Sequence, residues 1–101
     1  MQFAKPLRAR IRRGEITSSV RIWQSPRVKA GNCYAMEQGH ILVTSVREIG
    51  WDGITATLAR DSGFEGVVDL LKTAKHGRGE RVFLVAFRYR DGPCQARNSG
   101  G

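Results

Sequence analysis

The chain has 101 residues, 41% of them hydrophobic, with 17 Lys and Arg against 9 Asp and Glu and a formal net charge of +8 at pH 7. That length makes one domain able to bury a single core without disulfides. No apolar run approaches the ~18 residues that a membrane-spanning helix needs, which argues against a membrane partner and leaves the cytoplasm as the expected address.

The charge is one-sided. Residues 1–31 carry Lys5, Arg8, Arg10, Arg12, Arg13, Arg21, Arg27 and Lys29 against Glu15 alone, while the rest of the chain is close to neutral. A field of this kind concentrates polyanions and is the footprint of nucleic-acid binding. It also attracts anionic lipid, but the chain has no long apolar helical face to insert. Cys33 and Cys94 stand 61 positions apart with no CxxC pair and no second half of a metal site, so they are expected as reduced thiols. No cofactor or metal is expected, and a monomer is the default.

In chain order, Met1 to Ala4 reads as an arm or short strand. Pro6 then opens a short helix, where its missing N–H costs nothing. Leu7 and Ile11 give that helix a narrow apolar stripe, and Gly14 stops it. Gly14 to Trp23 turns into a strand. Period-2 alternation puts Ser18, Val20 and Ile22 on one face and Thr17, Ser19, Arg21 and Trp23 on the other. The first face is core. The second is either a grip for a phosphate and a stacked base or a solvated sheet face with Arg21 ion-paired and Trp23 packed.

Gln24 to Gly31 reads as a loop ending in a Gly31-Asn32 turn, Cys33 to Glu37 as a strand, Gln38-Gly39 as a tight turn and His40 to Ile49 as the returning strand, with His40 on the surface. A helix capped by Thr55 is expected to Ser62 and closed by Gly63. Val67, Val68, Leu71 and Ala74 mark an amphipathic helix over Glu65 to Lys75, with Asp69 either solvated or turned toward a cleft. Lys75 to Gly79 is a basic, glycine-bearing loop without P-loop spacing. Arg81 to Arg90 is the strongest strand, its unbroken apolar run from Val82 to Phe87 fitting the middle of a sheet covered on both faces. The Gly, Pro, Asn and Ser content of 91–101 marks a flexible tail. The order suits an α+β domain over residues 1–90, a small β-barrel of mixed strands flanked by short helices.

Several of these features together resemble an ASCH domain, a member of the PUA-like superfamily. They are Lys5-Pro6 ahead of a short helix, Gly14 and Arg21 spaced across the helix-to-strand turn, the Gly31-Asn32 turn, Ser62-Gly63-Phe64 before a helix, and the hydrophobic last strand. The resemblance implies a PUA-like β-barrel. In the family signature G-x-K-x-x-E-x-R, the glycine and arginine match Gly14 and Arg21, while Ile16 stands at the lysine position and Ser19 at the glutamate position. Similar bacterial proteins are amidohydrolases on acylated cytidine that use a lysine, a threonine and a helix carboxylate; others are described as ribonucleases. The resemblance therefore implies Thr17 or Ser19, with Asp69, as catalytic candidates.

An isoleucine can neither take a proton nor activate a water, so the leading expectation is an RNA- or nucleotide-binding module. In it Arg21 contacts phosphate, Trp23 stacks, Thr17 and Ser19 hydrogen-bond, and Lys5, Arg8, Arg12 and Arg13 supply the outer field. The alternatives are a hydrolase on the same scaffold, acting on a modified cytidine or on RNA, and a basic face that meets an acidic protein.

Overall fold

The computed structural model describes residues 3–74 and 80–94. The expectations for Met1 and Gln2, for the Lys75–Gly79 loop and for most of the tail lie outside those residues. Among the described residues eight elements follow one another: helix α1 (Lys5–Arg12), strands β1 (Ser18–Trp23), β2 (Cys33–Met36) and β3 (Gly39–Ile49), a 3-10 turn at Trp51–Gly53, helices α2 (Ala56–Asp61) and α3 (Val67–Ala74), and strand β4 (Arg81–Asp91). The sheet order is β1-β4-β3-β2, and every pairing is antiparallel. The expected α+β class with a barrel-like sheet is present as a curled half-barrel, and the expected mixed strands are corrected to antiparallel ones. Each crossing from one strand to its sheet neighbour reverses the chain's direction, which leaves no parallel pair among the described residues.

Strand β4 is central, as its apolar run requires: Ser18 to Trp23 pair with Ala86 to Arg81 on one side, and Gly39 to Ile49 pair with Asp91 to Val82 on the other. Its two faces feed two clusters. Val85 and Phe87 join Phe3, Ile11, Ile16, Val28, Met36, Ile41 and Val43 on the inner, curled face. Val82 joins Val20, Ile22, Ile54, Ala59 and Leu70 on the outer face, beneath α2 and α3. Alternation along one strand thus supplies both cores.

Local chemistry sets the helix ends. Gly14 takes φ 80, and the amides of Arg13, Gly14 and Glu15 return to the carbonyls of Ala9, Ile11 and Arg10, closing α1 with a left-handed residue that glycine adopts without strain. Thr55 Oγ1 accepts the Leu58 amide at 3.1 Å, the cap expected for α2. Gly63, at φ 96, is required on two counts. A Cβ there would meet Ile16 Cδ1 at 2.7 Å and Leu7 Cδ2 at 2.8 Å, so this glycine lets the α2–α3 connection press against α1 and the start of β1.

Three local expectations are corrected. His40 is buried at 8% exposure, and its Nδ1 lies 3.0 Å from the Gly92 carbonyl oxygen, because the chain beyond β4 folds back over the start of β3. The β2–β3 turn is Glu37-Gln38, with Glu37 at φ 56, and Gly39 is already paired with Met36. Cys33 and Cys94 form a disulfide with their Cα atoms 5.8 Å apart, within the usual span for such a bridge. It ties edge strand β2 to the first residues of the expected tail. Among the described residues, no helix is long and apolar enough to cross a membrane.

Candidate nucleic-acid interface

Arg12 and Arg13 close α1. The helix buries Ile11 and half-buries Leu7 against the inner cluster, so the basic residues of its last turn project away from the core. Directly after it, Gly14 redirects the chain and Thr17 leads into β1, its carbonyl accepting the Phe87 amide at 2.9 Å. That bond fixes the α1–β1 corner to β4. On the other side of β4, strand β3 skips register between Val43 and Ser45. The bulge places Thr44, an exposed hydroxyl, beside the same stretch of β4.

Between these parts runs a groove of about 530 Å³, with Ala86 to Tyr89 as its floor, Thr44 on one flank and Arg12, Arg13, Gly14 and Thr17 on the other. Three arginines, Arg12, Arg13 and Arg88, and two threonines, Thr17 and Thr44, therefore line it. Arg13 is engaged: its Nε donates to Glu15 Oε2 at 2.6 Å, and Glu15 also accepts from Arg10 Nε at 3.3 Å. The hydrogen bond from Arg13 holds the Glu15 carboxyl below the ordinary carboxylate value, so the pair stays ionised at neutral pH. Among the described residues, neither Arg12 nor Arg88 lies within ion-pair distance of a carboxylate. Two of the arginines that line the groove thus have no carboxylate partner among the described residues, and a guanidinium fork is shaped to hold phosphate oxygens.

Of the residues singled out from the sequence, the groove gathers Arg12, Arg13 and Thr17. Lys5 is exposed at the opposite end of α1, about 10 Å along the helix axis. Arg8 donates from Nε to the Phe3 carbonyl at 3.0 Å and pairs with Glu37 at 3.4 Å, so it braces the N-terminal segment.

The row Ser19, Arg21 and Trp23 lies elsewhere, inside the half-barrel. Ser19 is 8% exposed. Half-buried Arg21 donates from Nε to Ser19 Oγ at 2.8 Å, and its Cζ stands 4.9 Å from the centroid of the Phe3 ring. Burial brings the Arg21 guanidinium down to about 10, which leaves it a cation at pH 7. Trp23 packs its ring 5.8 Å from that of Phe83. On the face expected to grip ligand, Ser19 and Arg21 therefore bond to each other with Phe3 against Arg21, while Thr17 is exposed and lines the groove.

Asp69 is not near this row. It rides on α3, which packs on the Val20–Ile22 face of β1 through Leu70, and its carboxylate accepts the Glu65 amide at 3.0 Å. Asp69 thus satisfies an orphan amide just ahead of its own helix. Thr44 and Arg88 are the groove residues that sequence reasoning missed. A signal for Arg88 was present, since the continuous apolar run of β4 gives way at Arg88-Tyr89-Arg90 to alternation, the mark of a face turned to solvent. No local signal announces Thr44, because a bulge depends on the partner strand.

Among the described residues, no group of three or more His, Cys, Asp or Glu is placed to hold a metal ion. Comparison with protein-family models, with curated proteins and with solved structures finds no match to this chain.

Proposed function

We propose that this protein is an RNA- or nucleotide-binding module of PUA-like, ASCH-type architecture, and that it binds phosphate in the groove between the end of α1 and the β3–β4 bulge. One observation carries the reading: Arg12 and Arg88, 76 positions apart in sequence, line one groove with Thr17 and Thr44 and have no carboxylate partner among the described residues. Guanidinium forks with adjacent hydroxyls suit phosphate oxygens and ribose hydroxyls.

The hydrolase alternative draws no support from the geometry. Ile16 is a core residue at 2% exposure, Asp69 lies across the sheet from Ser19, and the His40 ring is engaged with Gly92. Nor does the reading depend on the cytoplasmic address, which the Cys33–Cys94 bond makes less natural, since structural disulfides belong mainly to oxidising compartments.

The test is a titration of labelled single-stranded RNA by fluorescence anisotropy across a range of salt. The Kd is expected to weaken steadily as salt rises, because each neutralised phosphate releases counterion. Arg12→Ala and Arg88→Ala should each lower the log–log salt slope by about 1. A Kd indifferent to salt would remove the electrostatic basis of the proposal.

A further inference from the structure

The charge balance of the groove points beyond a general affinity for RNA. An internal phosphodiester carries one negative charge on two non-bridging oxygens. A terminal phosphate monoester carries roughly 1.5 to 2 charges at pH 7, with a second pKa near 6, and offers three terminal oxygens. With Arg13 bonded to Glu15 at 2.6 Å, two arginines that line the groove, Arg12 and Arg88, have no carboxylate partner among the described residues. Two forks and two hydroxyls exceed what one diester can satisfy and match a monoester.

Size agrees with charge. The lining of the groove is confined to the α1–β1 corner, Thr44 and four residues of β4. A sequence-tolerant single-strand track instead runs over several nucleotides along an extended basic channel. The end of α1 also accepts an anion more readily than a bare helix C-terminus would. The carbonyls of Ala9, Arg10 and Ile11 are already occupied by the amides of Arg13, Glu15 and Gly14.

From this juxtaposition we infer that the groove selects the terminal phosphate monoester of a nucleotide or of a single-strand end over an internal phosphodiester, with Arg12 and Arg88 as the discriminating residues. The inference rests on the RNA- or nucleotide-binding reading, and the experiment separates the two.

Three labelled hexaribonucleotides of one sequence are compared at fixed salt and pH 7.5: one with a 5′-phosphate, one with a 3′-phosphate and one with hydroxyls at both ends. A phosphorylated end is expected to bind at least tenfold more tightly than the hydroxyl-ended strand, and the better of the two phosphorylated strands identifies which end is read. That advantage should shrink to less than threefold in Arg88→Ala and persist in Arg60→Ala, which removes an exposed arginine of α2. It should also shrink as pH falls from 7.5 to 5.5 and the monoester loses its second charge, while hydroxyl-ended RNA keeps its Kd. Equal binding of all three strands would overturn the inference and leave the RNA reading standing. Binding of none, even at low salt, would overturn both. A phosphoserine peptide that binds as tightly as the best RNA would overturn selection for a nucleotide.

Discussion

Ile16→Lys is expected to lower the stability of the protein by about 3–5 kcal/mol, the usual cost of an uncompensated charge in a core. Ile16 is 2% exposed, packs in the inner cluster with Ile11 and Phe87, and lies under Gly63. A lysine there has two choices, both poor. It can stay buried and lose its proton, or pull the α1–β1 corner open to reach water. Since a domain of this size has a total stability of roughly 5–15 kcal/mol, thermal denaturation should show a drop in Tm of at least 10 °C or a protein partly unfolded at room temperature. Ile16→Met, which nearly conserves volume, should cost under about 1.5 kcal/mol. A lysine variant that melts within a few degrees of the parent would mean that this position faces water and is open to the lysine of the ASCH signature.

The second large effect concerns Cys33 and Cys94. Cross-linking residues 61 positions apart removes chain entropy from the unfolded state, and loss of such a bridge typically costs about 2–4 kcal/mol. For a chain of this length that corresponds to a fall in Tm of about 10–30 °C. Cys94→Ser should show it, and reducing agent should bring the parent down to the same Tm while leaving the variant unchanged. Edge strand β2 should feel the loss first, because the bridge fastens it to the chain beyond β4. If the untreated parent titrates two free thiols, or if reductant leaves its Tm where it was, the disulfide is no part of the folded protein.

Much of the scaffold was legible because it rests on local pattern. The run Val82–Phe87 announced a central strand, Thr55 a helix cap, and the spacing of Val67, Val68, Leu71 and Ala74 a helix, although the stripe itself was misplaced: Val68 is 68% exposed and the helix buries Leu70. What local pattern could not give was which face of the sheet each element covers. The polar row of β1 read as a ligand face because alternation alone cannot reveal that Phe3 comes back to cover Arg21. Asp69 read as either a solvated helix charge or a carboxylate turned toward a cleft because its helix could not be assigned to a side of the sheet, and it is exposed. His40 read as a surface residue because the fold-back of Gly92 is non-local. The two cysteines read as thiols for the same reason, their approach depending on the pairing of β2 with β3 and of β3 with β4.

The groove shows the same division. Arg12, Arg13 and Thr17 were visible in the basic N-terminal stretch, since they follow one another across a helix stop. Arg88 and Thr44 complete the groove from β4 and from a bulge in β3, and a bulge is a property of two strands in register. The charge asymmetry of the sequence therefore located one wall of the groove and was silent about the other. It also overstated the role of Arg8 and Arg21, which the fold engages internally with Phe3, Glu37 and Ser19.

The most direct test of the phosphate-binding groove is a comparison of two double variants of equal charge. Arg12→Ala with Arg88→Ala removes the two groove arginines that have no carboxylate partner among the described residues, whereas Arg27→Ala with Arg60→Ala removes two exposed arginines from elsewhere on the surface. Both lower the net charge by two, so a response to overall charge alone weakens RNA binding equally. The groove account predicts that, with both variants folded by circular dichroism, the first loses at least tenfold in affinity for single-stranded RNA at 100 mM salt and about two from the salt slope, while the second changes Kd by less than threefold. Equal losses in the two variants would contradict it.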